Sequence, residues 1–263
     1  MTPKYVDVHS HLQFPQFDED RIEVLARMKD AGVWTLTVGT DLERSRSAIA
    51  FANGHDGVFA TIGLHPNSAA IETFGEQAFE ELVKEKKVVG VGECGLDYYR
   101  NNPADEEMKK RQHEVFEKQV AFALKHDKPL MLHCRPSRNS MDAYRDVISL
   151  LKGFPKARGN VHFFVGNIEI AKGFLELGFT VSLTGVITFA REYDGMVKYL
   201  PLDSMLTETD APYAAPLPYR GKRNEPTYVV EVVNAIARIR SEQEEIVRNS
   251  VLENAIRLFR LSA

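Results

Sequence analysis

The chain has 263 residues, 44% hydrophobic and 27% charged, a composition that suits one large domain with a full core and no need of disulfide or metal staples. No apolar run is long enough to cross a bilayer, and no basic segment followed by an apolar one and a cleavage site opens the chain, so the expected setting is the cytoplasm, away from membranes. A formal net charge of −4 excludes a protein that coats nucleic acid by bulk positive charge, although it leaves room for a local basic rim.

Apolar or β-branched runs fall at residues 5–9, 33–38, 58–62, 88–92, 129–133, 160–164, 180–183 and 205–208. Segments of helical period lie between them at 20–31, 42–53, 72–86, 105–126, 140–151, 168–177 and 192–200. Strand and helix in alternation, with short connections, predict a closed parallel (β/α)8 barrel of the TIM type spanning residues 1–263 as one domain. A doubly wound open sheet is the alternative. It would spread the ionisable strand ends along an edge, whereas closure gathers them around one mouth. After the eighth strand, Asn224-Glu225-Pro226 offers a cap and an early helical proline for a helix over 228–240. Ser241 with Glu244 reads as a capping box opening another C-terminal helix, in which Ile256, Phe259 and Leu261 supply an apolar face.

The strand ends carry the chemistry. His9 and His11 stand two apart in the first strand, so both project from one face, with Asp7 a layer beneath. Glu93, His133, His162 and Asp210 each stand at or just past the end of a later run. Histidines and carboxylates gathered at one end of successive barrel strands describe a metal-dependent hydrolase site. Glu93 suits a two-metal centre, because each of its oxygens can bind one ion; a buried ion-pair partner is its bland reading. His9, His11 and Asp210 would complete one site, and His133 with His162 the other. A metal pair of this kind lowers the pKa of a bridging water from 15.7 toward about 7, making hydroxide available at neutral pH, with Asp210 placed to take or orient its proton. The mixed nitrogen and oxygen donors suit two divalent ions of zinc or manganese, with magnesium able to support turnover.

Around this set stand residues with two readings each. Glu208 shares a strand face with Asp210 and orients a ligand or is a core carboxylate; Asp7 has the same standing beneath His9. His65, in Gly63-Leu64-His65-Pro66, contacts a substrate phosphate, donates to a leaving group, or is a satisfied loop histidine. Arg100, Arg135, Arg220, Lys222 and Arg223 follow strands four, five and eight; singly they read as surface charges, together as an anion-binding rim in which Arg135, Arg220, Lys222 and Arg223 hold substrate. Cys94 and Cys134 directly follow proposed ligands, on the opposite strand face, and read as buried free thiols.

These residues resemble the TatD-type metal-dependent deoxyribonucleases of the amidohydrolase superfamily over nearly the full length. The resemblance is carried by Asp7-Val8-His9-Ser10-His11-Leu12, Gly63-Leu64-His65-Pro66, Gly92-Glu93-Cys94-Gly95-Leu96-Asp97-Tyr98 and Leu132-His133-Cys134-Arg135. Most specific is Glu208-Thr209-Asp210-Ala211-Pro212-Tyr213, continuing through Pro218-Tyr219-Arg220-Gly221-Lys222-Arg223-Asn224-Glu225-Pro226. It implies a TIM-type barrel, divalent metals on His9, His11, Glu93, His133, His162 and Asp210, and hydrolysis of nucleic-acid phosphodiesters, as an exonuclease-like monomer acting on DNA ends or single strands. The alternatives are a two-metal hydrolase of a small phosphoester, amide or lactone, and a metal-containing binding protein without turnover. Three departures bear on substrate choice: Phe163-Phe164-Val165 replaces a run with small and hydroxyl residues, Asn67 stands where a second histidine often follows His65, and Pro136-Ser137-Arg138 replaces an acidic continuation.

Overall fold

The computed structural model describes residues 2–70, 72–100 and 105–262. Among them, eight parallel strands form one sheet in chain order: β1 (Tyr5–Ser10), β2 (Val33–Val38), β3 (Val58–Ile62), β4 (Val88–Asp97), β5 (Leu130–Arg135), β6 (Gly159–Val161), β7 (Thr180–Leu183) and β8 (Met205–Thr207). The sheet curls into a TIM-type barrel whose seam joins the segment after β8 to the end of β1. There Asp210 N–H donates to the His9 carbonyl at 2.9 Å, and His11 N–H donates to the Ala211 carbonyl at 2.7 Å.

The helices are α1 (Arg21–Ala31), α2 (Leu42–Asn53), α3 (Glu76–Phe79), α4 (Glu106–Lys125), α5 (Asp142–Leu151), α6 (Ile168–Glu176), α7 (Asp194–Tyr199), α8 (Val229–Arg240) and α9 (Glu244–Phe259). Side-chain caps fix three starts: Asp41 accepts from Arg44 N–H, Asp105 from Met108 N–H and Asn167 from Ile170 N–H. The core has two parts, set by strand alternation. In β2, Val33 belongs to the large cluster that includes residues of the surrounding helices, whereas Trp34 and Leu36 join Val6, Val8, Phe59, Val89, Met131 and Leu206 in a smaller one. Ala255 and Phe259 of α9, with Leu261 after it, complete that smaller cluster, as the apolar face of the last segment predicts.

Five local expectations change. Residues 72–86 hold only the single turn of α3 and a 3-10 turn at Leu82–Lys84. Phe74 stacks on Phe79 with ring centroids 4.7 Å apart, and a continuous helix would set residues five apart on different faces. Strand β4 runs on past Gly92 to Asp97, and β6 stops at Val161, because Phe163 turns to φ +48° and gives its N–H to Glu208. Ser241 does not open a capping box: at φ +56° it closes α8, and α9 starts after Gln243 without a side-chain cap. Finally, β1 carries an extra residue between Asp7 and Ser10 relative to β2, so simple alternation does not carry from Asp7 to His9.

Both cysteines are buried and free, and burial pushes their thiols up. No helix among the described residues is long and apolar enough to cross a membrane.

Candidate metal centre

The strand ends deliver His11, His65, Glu93, His133, His162 and Asp210 to the lining of one cavity of about 650 Å³ at the barrel mouth. His9 lies fully buried beneath, its ring stacked on His162 with centroids 3.9 Å apart. Two glycines let β4 approach β5 closely around Glu93. A Cβ on Gly92 would stand 2.3 Å from the Met131 carbonyl oxygen, and one on Gly95 would stand 2.1 Å from that of His133.

Glu93 divides the donors between its two oxygens. Oε2 lies 3.6 Å from His9 Nε2 and 3.9 Å from His11 Nε2. Oε1 lies 2.7 Å from His133 Nδ1, 2.9 Å from His162 Nε2 and 3.4 Å from His65 Nε2. Asp210 Oδ1 stands 3.7 Å from both His9 Nε2 and His11 Nε2, which are 3.4 Å from each other.

This donor set fits divalent metal. Ligands about 2.1 Å from a tetrahedral ion are roughly 3.4 Å apart, and the contacts of His9 and His11 with each other, with Glu93 and with Asp210 run from 3.4 to 3.9 Å. The second group, Glu93 with His133 and His162, has its histidine nitrogens 3.4 Å apart but contacts the carboxylate at hydrogen-bond distance, so the side chains would separate slightly around an ion. His11 Nδ1 faces the Val38 carbonyl at 3.1 Å, which places its proton there and leaves the Nε2 lone pair for a ligand role.

The electrostatics follow from burial of many charges together. Burial opposes ionisation of Glu93, but His65, His162 and His133 outweigh it and hold the carboxyl well below its ordinary range. Burial likewise opposes charge on His162 and His133. In His162, Glu93 and Glu208 prevail and raise it well above its ordinary value; in His133, hydrogen bonds to Asp97 and Glu93 raise it. His11 is pushed down to about 3 by burial and by His9. Asp210 is pushed up to about 6, chiefly by burial.

Supporting carboxylates hold the donors in place. Glu208 accepts from Phe163 N–H at 2.6 Å and from Ser182 Oγ, and it faces His162 Nδ1 at 3.3 Å. Asp7 accepts from Thr209 N–H at 2.8 Å and from the backbone N–H of His9 at 3.3 Å, tying the Asp210 segment to β1. Its contact with His9 is thus through the backbone. Asn224 donates to the carbonyls of Thr209 and Tyr213, fixing the chain on both sides of Asp210. Asp97 is the site residue that sequence reasoning missed: its Oδ2 lies 3.2 Å from His133 Nε2, and its Oδ1 accepts from the N–H groups of Tyr99 and Arg100. Burial raises this carboxyl, but His133 brings it down to about 2. The signal was present in the motif, since Asp97 stands four residues beyond Glu93 on one continuous strand.

The basic rim is placed differently from the sequence expectation. Arg223 forms a two-pronged ion pair with Asp20, each contact 2.7 Å, and lies over Phe17. Arg220 lies over Phe189, Lys222 is exposed, and none of these three lines the cavity. Arg44, Arg100 and Arg135 do line it.

A model described as TatD related DNase matches residues 6–260. An uncharacterized metal-dependent hydrolase of Bacillus subtilis, YabD, is 37% identical over 262 residues, covering 97% of this chain and 99% of its own length. A protein of Pectobacterium parmentieri named 3'-5' ssDNA/RNA exonuclease TatD is 35% identical over 271 residues, covering 97% of this chain and 99% of its own length. Among solved structures, the TatD homologue YJJV of Escherichia coli matches with a TM-score of 0.88 at 28% identity, over 100% of both chains. A family match across nearly the whole length, together with the donor-lined barrel mouth, places the protein among metal-dependent hydrolases: the chain belongs to the TatD related DNase family.

Proposed function

We propose that this hydrolase cleaves nucleic-acid phosphodiester bonds at strand ends or in single strands, using two divalent ions. His9, His11 and Asp210 would hold one, His133 and His162 the other, with Glu93 between them. The observation that carries this reading is the division of Glu93, with Oε2 facing His9 and His11 and Oε1 facing His133, His162 and His65. Zinc or manganese suits these donors. When bound, such ions would polarise the phosphoryl oxygens and bring the pKa of a water down toward about 7.

The chain's own groups then handle protons and access. Asp210, 3.7 Å from the Nε2 atoms of His9 and His11, is placed to accept or orient a proton of the attacking water. His65 is kept neutral by burial, and its Nδ1 accepts from Asn67 N–H at 3.1 Å. Its proton therefore sits on Nε2, which stands 3.4 Å from Glu93 Oε1 and would be the donor to a phosphoryl or leaving oxygen bound beside that carboxylate. The donors lie at the bottom of a recess, with Glu93 only 4% exposed. A strand end or a single strand can reach them, whereas a duplex would first have to open. The relatives named 3'-5' ssDNA/RNA exonucleases support the same substrate class.

Turnover of single-stranded DNA, duplex DNA, RNA and small phosphoesters, amides and lactones, each with added zinc, manganese or magnesium, tests the reading. Single-strand cleavage should dominate. Exclusive turnover of a small ester would replace the proposal. Elemental analysis after purification without chelator should give about two divalent ions per chain. Protein that holds no metal and gains no activity from any divalent ion would remove it.

Metal binding should weaken as the solution becomes more acidic. His162, His133 and Asp210 all have raised proton affinity, Asp210 near 6, and each must be deprotonated to act as a ligand. Protons are thus released on binding at neutral pH, and affinity should fall about tenfold per pH unit for each proton displaced. Calorimetric titration at pH 5 and 7, in buffers of different ionisation enthalpy, measures both quantities. Proton-neutral binding at pH 7 would contradict this assignment.

A further inference from the structure

We infer that Tyr99, Arg135 and Arg138 form an anion subsite that takes a second phosphate of the substrate, next to the one being cleaved. The inference deepens the nuclease reading and rests on it.

Three observations lead there. The first is charge accounting. Arg44 is answered by Asp41 at 2.8 Å and Arg223 by Asp20 at 2.7 Å, but among the described residues neither Arg135 nor Arg138 has a carboxylate partner. Both guanidinium groups nevertheless gather over one ring, with Arg135 4.2 Å and Arg138 5.7 Å from the Tyr99 centroid. Two like charges held together by an aromatic face, with no acid between them, leave their hydrogen-bond donors available to an outside anion.

The second is position. Arg135 follows His133 by two residues on β5, so the two side chains share a strand face about 6.6 Å apart along it. Both line the same cavity. A group bound at Arg135 lies one short step from a phosphate held at Glu93 and His133, which is the spacing a polynucleotide offers and a simple ester does not. The third is rigidity. Asp97 accepts the N–H groups of Tyr99 and Arg100 at 3.0 Å each while facing His133, so the same carboxylate that steadies His133 also fixes the segment carrying the ring. The subsite is therefore locked in register with the chemistry. Its expected ligand is a chain of phosphodiesters, gripped by guanidinium groups with no dependence on base identity.

The test compares an oligothymidylate with bis(4-nitrophenyl) phosphate, which has a single phosphate, in the metal-loaded protein and in Arg135→Gln and Arg138→Gln variants. The ratio of kcat/KM for the oligonucleotide over the small diester should fall about tenfold or more in each variant. The dependence of log KM on log salt should become shallower by about one for each arginine removed. An unchanged ratio would overturn the subsite, whether both substrates suffered equally or neither did. Failure of the nuclease reading looks different: the native protein would then leave the oligonucleotide uncleaved. Fluorescence anisotropy of labelled oligothymidylate still decides the subsite in that case. About tenfold weaker binding by the variants supports it, and equal binding overturns it.

Discussion

Glu93→Ala should abolish phosphodiester turnover while the barrel remains folded. This carboxylate lies within 3.9 Å of five histidines, and its two oxygens connect the donor groups that the first and the fifth and sixth strands supply. Its removal should cut bound metal from about two ions per chain to one or none. The hydrophobic clusters that hold the strands and helices together do not include it. Glu93→Gln keeps the shape and removes the charge, so it separates loss of the bridge from disturbance of packing; it too should be inactive. Circular dichroism, metal content and turnover are the measurements to compare. Substantial turnover in a folded Glu93→Gln protein would show that Glu93 is a structural ion-pair partner.

Asp210→Asn should reduce kcat by about 10²-fold or more, the usual scale for loss of a general base. The amide can no longer take a proton, although its oxygen still faces His9 and His11. Asp210 holds a left-handed backbone conformation at φ +56°, which asparagine adopts as readily, so the fold should not change. Single-turnover kinetics on the preferred oligonucleotide reads the effect apart from product release. A near-normal kcat would remove Asp210 as the base and leave it as a ligand only.

The barrel was legible because eight apolar runs alternate with helix-period segments, and tertiary packing followed that alternation. The convergence of His9, His11, Glu93, His133, His162 and Asp210 was legible for a related reason: each sits where a run stops, and in a closed barrel all such stops share one rim. Asp97 escaped because the apolar run of the sequence ends at Gly92. In the structure β4 continues through Gly95 at φ +138°, a conformation that only glycine takes easily. Residues 72–86 misled because helix-forming residues there are overridden by Phe74 and Phe79 stacking on each other. The arginines were the least legible. Sequence shows a charge but not what answers it, and the partner of Arg223 is Asp20, at the far end of the chain.

The seam of the barrel has a consequence for how the chain reaches its working state. His9 and His11 belong to the first strand and Asp210 follows the last, so on the proposed ligand set the first binding position exists only after the ends of the sheet have met. An ion there would act as a clasp over a loop of about two hundred residues, opposing the chain entropy that favours reopening. Ligand that binds the closed form alone adds about 2.7 kcal/mol at a hundred times its dissociation constant. Metal supply and barrel closure would then be a single equilibrium: the ion that equips the site for hydrolysis also keeps the two ends of the chain from parting.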